Sequence, residues 1–82
     1  MPVVYRYDGL RVVIYPNDHR PAHVHVKGSE GEAVFILHCP NGPPSLRESF
    51  GLNRRDLGLI IDEVARVLAI LCAEWSAIHG RH

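Results

Sequence analysis

The first part of the chain alternates between apolar and polar residues, a two-residue period that is typical of a β-strand. Residues 3–15 read VVYRYDGLRVVIY, two β-branched and aromatic runs joined by Asp8 and Gly9. This dipeptide predicts a β-hairpin, because both positions of a two-residue turn adopt positive φ. One face of the hairpin is then apolar and is expected to face the core, whereas Arg6 and Arg11 lie together on the other face. The predicted cross-strand partners are Tyr7 with Leu10, Arg6 with Arg11, Tyr5 with Val12, Val4 with Val13 and Val3 with Ile14.

The alternation resumes after a loop that contains Pro, Asn and Asp. Residues 22–27, AHVHVK, predict a third strand that places Val24 and Val26 in the core. His23 and His25 then lie on the opposite face, which also carries the two hairpin arginines.

Two more runs complete the predicted sheet. Residues 32–38, EAVFILH, are apolar on both faces, which indicates a strand that is central or covered on both sides. A turn rich in Pro, Asn and Gly follows. Residues 46–49 then predict a short strand at the edge of the sheet.

The last third of the chain changes to the 3.6-residue period of a helix. Asn53 is the predicted N-cap, Asp56 complements the helix dipole, and Gly80 is placed to end the helix. One helix is therefore expected from Arg54 to about His79. Its main apolar stripe consists of Leu57, Ile60, Ile61, Val64, Leu68, Leu71, Trp75 and Ile78.

The predicted helix is also apolar outside this stripe, nearly all round from Val67 to Ala73. One sheet cannot bury both sides of a helix, so the second side predicts a surface for self-association or for a partner. The alternative is that the loop from Cys39 to Leu52 folds over it.

These elements predict an α+β fold in which an antiparallel sheet of four to five strands, residues about 3–49, packs on one long C-terminal helix, residues about 54–79. A chain of 82 residues accommodates a single domain, residues 1–82. Nine basic residues balance nine acidic ones. There is no overall positive field, so any contact with nucleic acid needs a local basic patch.

The two cysteines, Cys39 and Cys72, lack the spacing of a metal site, and no segment resembles a signal peptide. These observations predict reduced thiols and a cytoplasmic protein. The apolar stretch at residues 57–78 is not expected to span a membrane, because charged residues interrupt it. They are Asp62, Glu63, Arg66 and Glu74.

Residues 17–26, NDHRPAHVHV, hold three histidines. His23 and His25 are two residues apart on a strand, so their Cα atoms lie about 6.6 Å apart on one face. With His19 from the preceding loop they could form a three-nitrogen site for zinc, copper or nickel, and Asp18 is also available. Apart from such a metal, no cofactor is indicated.

The same face suggests a catalytic alternative. His23 and His25 could act as base and acid in a metal-independent ribonuclease, with Arg6 or Arg11 stabilising the charge on the phosphorane. Imidazole suits both roles because its pKa of about 6.5 lies near neutrality. The third interpretation is a solvent-exposed row of histidines that serves strand pairing or partner contact.

The chain resembles a small prokaryotic family that is catalogued only as a domain of unknown function. The family pattern begins M-P-V-x-x-R-x-x-G, continues as N-[DE]-H-x-P-x-H-V-H-V, and ends in a helix that contains Glu-Trp. The matching stretches here are MPVVYRYDGLRVVIY, NDHRPAHVHV, GEAVFIL, GLNRRDL and Glu74-Trp75. NDHRPAHVHV is the specific part of the match. The segment HCPNGPPSLRESF departs from the usual pattern, so a partner-specific surface is expected to differ there.

Members of that family are often encoded beside a second small domain, in pairs that look like toxin–antitoxin modules. The resemblance therefore implies a cytoplasmic component of a two-protein module, which associates with a small partner encoded nearby or with a second copy of itself. It implies no catalytic residues. By analogy of fold alone the chain is similar to small interferase toxins, which keeps nucleic acid among the candidate ligands.

Overall fold

The computed structural model describes residues 3–81 as an antiparallel sheet of five strands and two C-terminal helices. The predicted α+β fold is confirmed. Met1 and Pro2, with which the family pattern begins, lie outside the described residues, as does His82. The elements are β1 (Val3–Tyr7), β2 (Leu10–Val13), β3 (His23–Lys27), β4 (Glu32–Ile36), β5 (Ser45–Phe50), α1 (Arg54–Arg66) and α2 (Leu68–His79). The strands lie side by side in chain order, so β1 and β5 form the two edges.

The hairpin between β1 and β2 forms at the predicted turn. Asp8 and Gly9 have φ angles of 49° and 79°, as the two-residue turn requires. Pairing follows the predicted register from Tyr7–Leu10 to Tyr5–Val12. The last two predicted pairs are wrong, because an irregularity in β1 brings Val3 opposite Val13. An extra residue in one strand of a pair shifts every later partner by one position.

The edge strand β5 is longer than predicted and contains a similar irregularity. Val34 of β4 pairs with Glu48, whereas the next residue, Phe35, pairs with Leu46. Arg47 is therefore the additional residue of a β-bulge, a feature that changes the direction of a side chain.

The predicted single helix is divided at Val67, whose φ and ψ of −105° and 20° are not helical. Neither proline nor glycine occurs at this position, so the sequence contained no sign of the interruption. The predicted stripe nevertheless faces the core along both helices, with Leu57, Ile61 and Ile78 only partly buried, and Val67 and Cys72 widen it. Leu59 and Ile70, which lie outside it, are about half exposed, at 52% and 51%.

Cys39 and Cys72 form a disulfide with their Cα atoms 5.9 Å apart, so the prediction of reduced thiols is wrong. The bond joins the loop after β4 to α2, and Gly42 of this loop lies against Leu68. The loop therefore covers α2 at Leu68 and Cys72, whereas Ala69, Ile70 and Ala73 of the second apolar side stay exposed, so the covering expected in the alternative interpretation is not seen at these residues. The cysteines were 33 residues apart in sequence, and only the fold brings them together.

The inner face of the sheet packs on the helices around Phe35, Leu71 and Trp75, which are fully buried. The outer face carries the histidines of β3. Across residues 3–81, neither helix has the length and apolar character that a bilayer crossing requires.

Candidate metal centre

One strand and one loop supply the three side chains of the site. β3 presents His23 and His25 on the same face of the sheet, as the alternation predicted. The loop between β2 and β3 supplies Asp18. The three side chains each place one potential ligand atom within 4.8 Å of the others. We refer to Asp18, His23 and His25 as the histidine cluster.

A tight turn directs Asp18 towards the histidines. The Asp18 amide donates to the Tyr15 carbonyl, and the Tyr15 amide donates to Asp18 Oδ2, both at 3.0 Å. The Asp18 side chain is 14% exposed as a result. Its Oδ2 atom lies 3.2 Å from His25 Nε2 and 3.6 Å from His23 Nε2.

The position of the ring proton on His23 follows from its other contact. His23 Nδ1 lies 2.8 Å from the Pro21 carbonyl oxygen, which can only accept a hydrogen bond. Nδ1 therefore carries a hydrogen, and in the neutral ring Nε2 is left with a lone pair. This lone pair faces the Asp18 carboxylate, which is also an acceptor. Two acceptors that face each other are stabilised by a cation between them.

A row of ring contacts holds the imidazoles in place. The centroid of His25 lies 4.9 Å from that of Tyr15 and 5.2 Å from that of His23. His23 contacts Trp75 at 5.3 Å, and Trp75 stacks on His79 at 4.1 Å. His79 Nε2 in turn donates to the Tyr15 carbonyl at 3.2 Å. The row links both imidazoles to the C-terminal part of α2 through Trp75 and His79.

The cluster has the donor set and spacing of a transition-metal site. Ligand atoms that bind zinc tetrahedrally at 2.0–2.1 Å lie about 3.3 Å from one another. Asp18 Oδ2 approaches this separation from both histidine nitrogens, at 3.2 and 3.6 Å, and one ligand atom from each of the three residues lies within 4.8 Å of the others. The bond from His23 Nδ1–H to a backbone carbonyl is the usual second contact of a metal-binding histidine. Two imidazoles and one carboxylate suit Zn²⁺, Co²⁺ or Fe²⁺.

A groove of about 350 Å³ lies beside His23, and we call it the His23 groove. Its lining includes Asn17, His19, Arg20 and Arg47. These side chains supply hydrogen-bond donors or positive charge.

A second groove of about 390 Å³ lies beside His25, and we call it the His25 groove. Lys27 lines it, 3.4 Å from Glu32 and 5.3 Å from the centre of the Tyr15 ring. The Tyr15 hydroxyl, and then Glu32, raise the pKa of Lys27, so its ammonium group remains charged and paired. Arg47 lines this groove as well. The lining also includes Glu48, Ser49 and Phe50.

The structure brings together only part of the predicted site. His23 and His25 are adjacent, but His19 lies in the His23 groove and Asp18 takes the place expected for it in the cluster. His23 is only 5% exposed, so the interpretation as a solvent-exposed row of histidines is wrong for this residue.

The predicted arginines lie further along the sheet. Arg6 pairs with Arg11, and Arg11 pairs with Lys27, two residues from His25 and four from His23. Neither arginine lines the two grooves. A ribonuclease site built from Arg6 and Arg11 stays a prediction.

Sequence reasoning missed the role of Arg47 and named Asp18 only as an available ligand. Asp18 belongs to the NDHRPAHVHV stretch, but its direction depends on hydrogen bonds within the loop. Arg47, the additional residue of the bulge in β5, lines both grooves, and its role was not predicted.

A family described as a domain of unknown function (DUF4160) matches residues 9–76. The matched range includes the histidine cluster and the residues that line both grooves. No curated protein and no solved structure matches the chain.

Proposed function

The chain belongs to the DUF4160 family, a domain family of unknown function, and we propose that it is a metal-binding domain whose ligands are Asp18, His23 and His25. The metal is a divalent transition ion such as Zn²⁺ or Co²⁺, because the donors are two neutral imidazoles and one carboxylate.

The observation that carries the proposal is the direction of His23 Nε2. Its lone pair faces Asp18 because Nδ1–H donates to the Pro21 carbonyl, 2.8 Å away. A metal ion would accept an electron pair from both atoms and would explain why His23 Nε2 lies close to the Asp18 carboxylate. His23 is also held rigidly by Trp75, which limits the entropy lost when a metal binds.

Calorimetric titration of untagged protein with Zn²⁺, in a buffer that does not coordinate metals, tests the proposal. The wild-type chain is expected to bind one equivalent saturably. His25→Ala is the informative variant, because His25 is only partly buried and its loss should leave the fold intact. Loss of this ligand should weaken Zn²⁺ binding by roughly a hundredfold. The loss of a group that only hydrogen-bonds to a metal ligand already weakens binding by about tenfold to a hundredfold.

His19→Ala is the matched control, because His19 is an exposed histidine from the same loop and is not in the cluster. It should bind Zn²⁺ within about twofold of wild type, since exposed side chains away from a site have small effects. Binding that depends on His19 and not on His25, or no saturable binding by folded protein, would refute the proposed ligand set.

A second candidate function is association with a small partner protein, as in a toxin–antitoxin-like pair. The edge strand β5 favours it, because Phe50 and Leu46 are 76% and 44% exposed there. An open strand edge can pair with a strand of another chain. We propose that the partner is the protein encoded beside this chain and that it adds a strand to β5.

Co-expression with the neighbouring gene product tests this second candidate. The two proteins should co-purify, and Phe50→Asp should weaken the complex while leaving the free chain folded. Arg6→Asp on the opposite edge strand is the control and should still co-purify. Failure of the wild-type pair to co-purify, or equal loss with both variants, would count against association through β5.

A further inference from the structure

We propose that the His23 groove binds a phosphoryl group, which supplies an oxygen to the metal held by the histidine cluster. This inference rests on the proposed metal-binding function and names the class of ligand. The ligand is a terminal phosphate, either free or as a monoester of a small molecule.

The first argument for a phosphoryl group is the positive charge of the residues that line the groove. Arg20 and Arg47 line it, together with the donors Asn17 and His19. The one acidic residue in its described lining is Asp18, whose carboxylate faces the histidines. An oxyanion in this groove would therefore meet donors and positive charge on several sides.

The second argument is the β-bulge in β5, at an arginine that lines the groove. Arg47 is the additional residue of the bulge and lines the groove, to which the loop between β2 and β3 contributes Arg20. Bulges that redirect a side chain are frequent next to functional sites. The two guanidinium groups can each donate two parallel hydrogen bonds to phosphate oxygens.

The neighbouring groove is the less suitable of the two for an anion. Glu32 and Glu48 line the His25 groove, and its Lys27 already contacts Glu32 at 3.4 Å. The two basic residues there are offset by two acidic ones, so the anion is expected on the His23 side of the cluster.

The third argument is that the proposed metal has room for a further oxygen ligand. Three protein ligands leave one position of a tetrahedral ion open, as in sites where zinc binds a water or a substrate. Asp18 and His23 line the groove and are also proposed ligands, so a ligand in the groove would lie beside the proposed metal. A phosphate oxygen at the open position would be bound by the metal and by the arginines together.

The size and overall charge favour a small phosphate ligand over a nucleic acid. The groove holds about 350 Å³. The chain carries nine basic and nine acidic residues, so it lacks the excess of positive charge that draws in a polyanion.

The test uses untagged protein loaded with one equivalent of Co²⁺, whose visible absorption reports on its ligands. Inorganic phosphate and phenyl phosphate should each change the spectrum saturably. An RNA octamer without terminal phosphates should not. Equilibrium dialysis at the same phosphate concentration checks that the metal stays bound.

Arg47→Ala and Arg20→Ala are the variants, and Arg6→Ala, an exposed arginine on the same sheet, is the control. Arg47→Ala should weaken phosphate binding roughly tenfold or more, as expected for loss of charge-assisted hydrogen bonds, with unchanged affinity for Co²⁺. Arg6→Ala should match wild type.

The outcomes separate the two proposals. Absence of a Co²⁺ spectrum refutes the metal site, and the phosphate inference with it. A normal Co²⁺ spectrum that phosphate leaves unchanged overturns the phosphate inference alone. Equal affinity in wild type, Arg47→Ala and Arg20→Ala overturns the groove assignment, and a stronger response to the RNA overturns the choice of a terminal phosphate.

Discussion

Two clusters in this protein are each built around a carboxylate, and their neighbours differ in kind. Glu63 of α1 accepts hydrogen bonds from the Tyr5 hydroxyl and from Arg66, whose Nε and Nη2 lie at 2.9 and 2.6 Å. Arg66 also donates to the Tyr5 oxygen at 3.1 Å. We call these three residues the glutamate cluster. Asp18, in contrast, faces the two Nε2 atoms of the histidine cluster.

The difference separates a structural contact from a site that can take a ligand. Arg66, followed by Tyr5, holds the pKa of Glu63 at about 2, and the Glu63 contact raises the pKa of Tyr5. Every partner of Glu63 in this cluster is a donor, so the cluster is electrostatically complete and joins β1 to α1. In the histidine cluster the Asp18 carboxylate faces the Nε2 atoms of two imidazoles, and under the proposed function a metal ion completes it.

The largest expected effect concerns Trp75, which contacts His23 of the histidine cluster and is fully buried in the core. Trp75→Ala should destabilise the protein by about 3–5 kcal/mol, since it empties a fully buried site. Denaturant unfolding measures this loss. Ile70→Ala, at a half-exposed position of the same helix, is the control and should cost far less. A Trp75→Ala variant as stable as Ile70→Ala would contradict the described packing.

Asp18→Asn and Glu63→Gln test the comparison directly. Asp18→Asn should weaken Zn²⁺ binding by roughly tenfold to a hundredfold, because the amide lacks the ligand charge. Glu63→Gln removes the same charge from the other cluster and should leave the affinity unchanged. Calorimetric titration of both variants decides the matter, and equal losses would mean that the effect is one of overall charge.

Stability at low pH, unlike Zn²⁺ affinity, should depend on Glu63. Glu63 has a pKa of about 2 in the folded chain against an ordinary value of 4.5. A lowered pKa stabilises the fold above the ordinary value, and this stabilisation is lost as the pH falls from 4.5 towards 2. Glu63→Gln should therefore lose less stability than wild type across this window.

Urea unfolding at several pH values measures the acid effect, and Asp62→Asn, at an exposed neighbour on α1, serves as the control. Asp62→Asn should keep the wild-type dependence. If Glu63→Gln also kept it, the glutamate cluster would not be the origin of the acid sensitivity.

The smallest expected effect concerns Arg11. Arg11→Ala should leave Zn²⁺ affinity within about twofold of wild type, because exposed side chains outside a site have small effects. Arg11 pairs with Lys27 and lines neither groove. A large loss in the same titration would revive the predicted site in which the hairpin arginines act with the histidines.

The features that sequence could predict are those set by local chemistry. The hairpin follows from the ability of Asp8 and Gly9 to adopt positive φ, and the common face of His23 and His25 follows from strand alternation. Asn53 caps α1 as expected, since its side chain accepts from the Asp56 amide at 2.8 Å.

The features that sequence missed depend on tertiary contacts or on backbone irregularities. The break at Val67 and the bulge at Arg47 have no glycine or proline to mark them. The direction of Asp18 depends on its turn with Tyr15, and a disulfide links cysteines that are 33 residues apart. The chemistry was therefore predictable at the two histidines and not at the groups that complete their site.

The central claim is that a metal ion binds between Asp18 and the two histidines. ¹⁵N NMR of the imidazole nitrogens during titration with one equivalent of Zn²⁺ tests it most directly. We predict that Nε2 of His23 and of His25 shift together and saturate at one equivalent, while both nitrogens of His19 stay unchanged. Resonances of His23 and His25 that stay unchanged in folded protein, or a shift confined to His19, would contradict the account.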